Sequence, residues 1–443
     1  MIYLKRFVFL ASVSLIFTSL ATSTFGQRQK NDSSAVQLGA RLFADIRFSS
    51  PEGDLQSSCS SCHMVNEDPQ GARVYTDFFA RSWVSWRSQD PRRDGLRNAP
   101  TILDSAELPR LHYDGEFGSL EELVKGTISG RTLGWLPGEE QKALDHAYRI
   151  IISDKGDGKT VGDAYKDRFN EAYGVSIEHL KRNEVINFAA RAVSDFVRTL
   201  KTEKNSAYDR FIRLNNLPER PNQGEAGMAF AERMLAQISS METEGRLKLA
   251  KDFGADELKG LKIFFNAKGD KAVGNCSTCH TPPMFTDFAF HNTGISQIEY
   301  DRHHGDGSFA SLTIPDASRA VRPSAKLREI PTRSKPGYVD LGYWNFVKLN
   351  GSPLRREKES DDEFLNRMIA TFKTPTLRNL SFSYPYMHNG AYSSLDSVVE
   401  EKMLISEMAR KGHIRSADEE LAKTKIMETD IPLLVAFLRS LNE

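Results

Sequence analysis

Every cysteine in this chain belongs to one of two copies of a single pattern, C-x-x-C-H: Cys59-Ser-Ser-Cys62-His63 and Cys276-Ser-Thr-Cys279-His280. The spacing attaches a c-type haem: two thiols form thioethers to the porphyrin vinyls and the adjacent histidine ligates the iron. Two copies predict two covalent haems, and with them redox chemistry. A structural zinc site needs four ligands, and each copy offers three. A disulfide would leave both histidines unexplained.

The elements that must position these groups read as mainly helical. Val36–Phe43, Leu120–Ile128, Gln141–Ile152, Glu184–Thr199, Ala226–Ala250 and Ile431–Leu441 carry apolar residues at helical spacing, and alternating strand patterns are scarce. A short amphipathic segment precedes each motif: Leu38–Phe43 before the first, Leu258–Phe265 before the second. This predicts an all-α fold of two cytochrome c-like haem domains with helical and loop insertions. The stretch Arg213–Gly227 is rich in Asn, Pro and Gly and marks the boundary. The expected division is a signal peptide at 1–26, a first haem domain at 27–220 and a second at 221–443. Residues 294–361 read as an ordered insertion or loop set rather than a third domain.

Lys5 and Arg6 followed by an apolar run from Phe7 to about Leu20 form a secretory signal. The run is short for a membrane span, so cleavage is favoured over an anchor, and no later segment is apolar enough to cross. Haem attachment to C-x-x-C-H occurs across the bacterial inner membrane, so signal and motif agree on the periplasm. Lys plus Arg total 59 and Asp plus Glu total 59, which gives no reason to expect nucleic acid.

The residues around both motifs resemble the bacterial di-haem cytochrome c peroxidase family, which includes the MauG-type enzymes. The matching segments are Leu42–Ser49, Leu96–Thr101, Tyr113-Asp114-Gly115, Phe285–Gly294, Phe372–Asn379 and Tyr384–Gly390. The resemblance implies that the N-terminal haem meets hydrogen peroxide and the C-terminal haem receives electrons. It also implies one calcium ion, on Asn98, Ser383 and Pro385, whose oxygens suit that cation.

Several positions depart from the peroxidase pattern. No histidine occurs between His63 and His112, and Phe79 lies near the expected distal position, so the first haem reads as open to a small ligand unless another side chain closes it. The family's catalytic glutamate falls at Gly130–Gly134, where Thr132 stands and no carboxylate exists. Arg131 could stabilise negative charge there; Glu139 and Glu140 are poorly spaced replacements. Tyr113 takes the place of the inter-haem tryptophan, as a relay or as packing, while Trp83 and Trp86 read as haem-pocket packing. The sixth ligand of the second haem falls on the helix after His388. Strict register gives Lys402; a shift of one gives Met403, the favoured residue because a thioether suits a high-potential haem. Met408 and Met387 are alternatives. His388 and His291 read as structural or propionate-binding, and the pair His303 and His304 as a solvated loop.

The resemblance implies a peroxidase-type oxidoreductase partnered by a small electron donor of cytochrome c or cupredoxin type. A MauG-like oxidase of a specific protein or organic substrate, or a non-enzymatic electron carrier, are the alternatives. The long spacing between motifs leaves surface for a substrate or for an oligomer interface such as a homodimer.

Overall fold

The computed structural model describes residues 33–53, 56–67, 73–77, 97–157, 162–269, 273–331 and 335–443. The signal segment, Phe79, Trp83 and Trp86 lie outside them. The architecture is mainly α-helical. In chain order come α1 (Ser34–Ala44), α2 (Cys59–Cys62), β1 (His63–Glu67), β2 (Arg73–Asp77), α3 (Leu120–Ile128), α4 (Glu140–Ser153), α5 (Tyr165–Tyr173) and α6 (Arg182–Val197). There follow α7 (Ala207–Leu214), α8 (Gly227–Thr243), α9 (Ala255–Phe265), β3 (Phe290–His291), α10 (Ile295–His304), α11 (Asp361–Arg367), β4 (Phe372–Lys373), α12 (Leu395–Arg410) and α13 (Ile431–Arg439). The strands pair antiparallel, β1 with β2 and β3 with β4.

The buried apolar residues fall into separate clusters. One runs from Leu38 to Leu200 and joins α1, α3, α4, α5 and α6. A second runs from Ala207 to Leu441 and joins α7, α8, α9 and α13. Each is organised by the same device, a helix crossing at a glycine. A Cβ on Gly39 would lie 1.9 Å from the Ala192 carbonyl oxygen, and one on Gly260 would lie 1.9 Å from that of Leu433. Glycine alone lets the backbones approach so closely. One turn on, Phe43 meets Phe196 edge-on at 5.3 Å, and Phe264 meets Phe437 at 4.9 Å. The spacing Gly-x-x-x-Phe therefore recurs in both units, on α1 against α6 and on α9 against α13.

Three expectations change. The helix expected over Ala226–Ala250 ends at Thr243, because Gly245 adopts φ +66° and the Arg246 amide turns back to the Met241 carbonyl. The stretch 294–361 contributes most of a core of its own, with Phe309 and Trp344 fully buried and packed with Phe364 of α11. His303 and His304 close α10 rather than standing in a loop, and His304 stacks on Tyr300 at 4.0 Å.

Candidate haem sites and the charged seam beside them

All four motif cysteines are free thiols. Burial pushes the Cys59 and Cys276 thiols up to about 12, so they stay protonated. In the second motif the His280 Nδ1–H donates to the Phe285 carbonyl at 2.9 Å. That bond fixes the tautomer and leaves Nε2 for a metal. Burial also pushes His280 down to about 4, so the ring is neutral, as ligation requires. The turn is held tightly: a Cβ on Gly227, at the start of α8, would meet the Thr281 hydroxyl at 2.8 Å and the Ser277 carbonyl at 3.1 Å.

The first motif opens on an apolar cavity. Leu42, Phe48, Val124, Leu133 and Val193 line it together with Cys59. His63 begins β1, opposite Asp77. At the second motif, two thiols beside a neutral His280 with Nδ1 committed, and at the first, the motif cysteines and His63 beside an apolar wall, are donors and surroundings that suit a covalent haem; the residues present fit the group.

Helix α12 directs Lys402 towards the second motif. Burial pushes its ammonium down to about 8, opposed by Glu401 and by the Cys279 and Cys276 thiols. Met408 and Met387 instead pack against the cluster of Ile295, Ile405 and Ile414. Met403 follows Lys402 on the same helix, half-buried. His291 sits beside Cys279. Its Nδ1 bonds Asp418 at 2.6 Å and its Nε2 bonds Asp287 at 2.8 Å. Burial opposes charge on this ring, but the two carboxylates prevail and raise it to about 12, so His291 is an imidazolium.

Tyr113 lies where segments from both ends of the chain meet. Its carbonyl accepts the Lys373 amide at 2.8 Å, and its ring meets His388 edge-on at 6.5 Å. His388 is buried and stacked on Phe372 at 3.7 Å. Beside Tyr113 runs a seam of charge. Arg97 bonds Asp114 at 2.5 Å and Asp340 at 2.6 and 2.7 Å. Arg328 reaches Asp114 at 2.9 Å and also pairs with Glu116, which bonds His112 at 3.1 Å. Burial alone would raise the Asp114 carboxyl, but Arg97 and Arg328 hold it well below the ordinary carboxylate range. Asp114 was visible in the Tyr-Asp-Gly segment. Its partner Arg328, and Asp340 with which it shares Arg97, lie more than 200 residues away in sequence and carried no local signal.

Arg131 is paired with Glu329 at 2.8 Å. Glu139 and Glu140 are spent locally: their carboxylates accept the Leu136 and Gly138 amides at the start of α4. Asn98 meets one of the other expected calcium-site residues, Pro385, and also the nearby His388 backbone. Its Nδ2 donates to the Pro385 carbonyl at 2.5 Å, and its backbone amide donates to the His388 carbonyl at 2.7 Å. The Ser383 amide instead closes the turn at Leu380–Phe382.

Residues 33–216 match the family model described as di-haem cytochrome c peroxidase. A cytochrome-c peroxidase, IdrP2, of Denitromonas iodatirespirans is 24% identical over 92% of this chain and 81% of its own length. The methylamine utilization protein MauG of Methylophilus methylotrophus is 22% identical over 91% of this chain and 81% of its own. Among solved structures, the diheme peroxidase BthA of Burkholderia thailandensis superposes with a TM-score of 0.53 at 20% identity, covering 93% of this chain and 86% of that one. This last likeness is one of fold.

Proposed function

We propose that the chain is a peroxidase-type oxidoreductase of the di-haem cytochrome c peroxidase family, similar to the relatives above, that it works in the periplasm, and that it reduces hydrogen peroxide at its N-terminal haem site with electrons that enter at the C-terminal one. Cys59, Cys62 and His63 hold the first haem, and Cys276, Cys279 and His280 the second, in two cytochrome c-like domains divided near residue 220. When bound, the haems supply the iron that takes up peroxide and the path for the electrons. The protein's own residues do the rest. Phe285 orients His280 through its carbonyl, Asp287 and Asp418 hold the His291 imidazolium at Cys279, and Tyr113 bridges the two halves at the seam. The observation that carries the reading is the repeated unit: a C-x-x-C-H turn set behind a glycine-crossed helix pair, twice in one chain.

Helix α12 would supply a further ligand to the second haem. Met403 is the residue whose thioether suits a high potential. The enclosure of Lys402 beside the motif supports strict register. A calcium ion on Asn98 and Pro385, with Ser383, would tie the loop before Tyr113 to the Tyr384–His388 turn. The electron donor is a small cytochrome or cupredoxin.

The test is haem content and turnover. Denatured protein should retain its colour and carry the mass of two haems, and the ferric protein should bind cyanide without prior reduction and oxidise a reduced small cytochrome when peroxide is added. Loss of all haem into acid–acetone would overturn the assignment. A low-spin protein that ignores cyanide would point to a simple electron carrier. The absence of a carboxylate at Thr132 favours one second reading, a MauG-like oxidase of a specific substrate; that enzyme would bind cyanide yet turn over poorly with every small cytochrome.

A further inference from the structure

Peroxide cleavage needs a group that moves a proton from one oxygen to the other, and the local sequence around Thr132 has none to offer. The structure brings one from elsewhere. The turn Arg131–Leu133 is part of the wall of the first haem site: the Ser57 hydroxyl donates to the Thr132 carbonyl at 3.0 Å, the Ser50 amide donates to the Leu133 carbonyl at 2.7 Å, and Leu133 lines the cavity with Cys59. Against this turn, 198 residues away in sequence, Glu329 pairs with Arg131 at 2.8 Å, its side chain only 14% exposed. The strand of chain that carries it is pinned on both sides. Leu327 and Ile330 are buried, and Arg328 is anchored on Asp114 and over the Phe346 ring at 4.6 Å. Glu329 is thus a carboxylate held against the turn that supplies Leu133 to the cavity, paired with Arg131, while the neighbouring Arg328 turns to Asp114 and Glu116.

We propose that Glu329, oriented by Arg131, is the proton-handling carboxylate of the first haem site. This rests on the reading that peroxide reacts there. The carboxylate takes the proton from the near peroxide oxygen and returns it to the far oxygen, which leaves as water when the O–O bond breaks. The reduced donor protein supplies the two electrons by way of the haems, and two protons from solvent complete the second water. The irregular stretch 294–361 then has a chemical role: it completes a site whose other walls come from the N-terminal half.

The experiment uses the haem-loaded full chain. Hydrogen cyanide must also surrender a proton to bind ferric iron, so cyanide association followed by stopped-flow absorbance is a readout separate from turnover. Glu329→Gln should slow both cyanide association and peroxide-dependent oxidation of a reduced cytochrome by about 10²-fold. Thr132→Glu added to Glu329→Gln should recover part of both rates. Glu419→Gln removes an exposed carboxylate paired with Arg356 away from the site and should leave both within about threefold. If Glu329→Gln fails to fold, Glu329→Asp, which retracts the carboxylate by one methylene, should slow both rates about tenfold. A reactive wild type matched by Glu329→Gln, or by Glu329→Asp where only that variant folds, overturns the proposal alone. Equal losses in Glu329→Gln and Glu419→Gln show an effect with no tie to the site and also overturn it. A wild type indifferent to both cyanide and peroxide overturns the underlying reading as well.

Discussion

Alanine at Gly39 or Gly260 is expected to destabilise the protein by the same amount through the same cause. At each position a Cβ would stand 1.9 Å from a carbonyl oxygen on the facing helix, where ordinary contact is 3.4–4 Å. The obstacle is backbone, which cannot swing aside as a flexible side chain could. The helices must separate by about 1.5 Å or the added methyl must be absorbed as strain, and overpacking of this kind costs about 1–3 kcal/mol. A backbone obstacle argues for the upper end, and the gain in helix propensity from Gly to Ala returns about 1 kcal/mol. The net is about 2 kcal/mol, or about 4–8 °C in Tm for a unit of this size. Calorimetry and far-ultraviolet circular dichroism of the haem-loaded variants read this directly. Gly118→Ala is the control, since its nearest neighbours would lie at 3.6 and 3.9 Å and its φ is not positive. If Gly39→Ala and Gly260→Ala melt within about 1 °C of Gly118→Ala, the crossings are not packed as described. If only one shifts, the two units are not equivalent.

Two further outcomes follow from the site. Asp114→Asn strips the carboxylate shared by Arg97 and Arg328 and leaves Arg97 buried with half its partners, at a cost of about 3–5 kcal/mol in chemical denaturation. Because the folded-state Asp114 titrates below its unfolded value of about 3.9, its contribution is present above that pH and is lost as pH falls towards the folded value; the variant should therefore show a shallower acid limb than wild type. At the second haem, Met403→Ala should abolish a thioether-to-iron charge-transfer band and lower the potential, whereas if Lys402 is the ligand only Lys402→Ala will change the spectrum.

What could be read from the residues alone was local. The haem motifs announce themselves, and α1, α3, α4, α6 and α13 follow the 3.6-residue apolar period closely, because each buries one face in a helical core. Helix α8 was overextended because Gly245, the residue that stops it, lies inside a stretch whose composition still reads as helix. The core around Phe309, Trp344 and Phe364 escaped notice because irregular chain has no period to detect. The hairpin of β1 and β2 escaped because Val65, Val74 and Tyr75 favour strand only in runs too short to stand out. The seam of Arg97, Asp114, Asp340 and Arg328, and the pairing of Arg131 with Glu329, join residues far apart in sequence; charge in one sequence names no partner. Register alone reaches Lys402, but only the fold encloses its side chain beside the motif cysteines.

The two glycine crossings also order events in time. Each motif lies inside the loop that its crossing closes, between Gly39 and Ala192 in one case and between Gly260 and Leu433 in the other. Contacts at such long sequence separation form late, after a large loss of chain entropy. Until α6 or α13 arrives, Cys59 and Cys276 are solvent-accessible thiols that ionise near 8.5; afterwards burial holds them near 12. Thiolate is the reactive form, so the window for forming thioethers is the open chain, and it shuts when the helices cross. The first window can shut once residue 200 has emerged, whereas the second stays open until nearly the whole chain has been made, so the two haems are installed under different clocks.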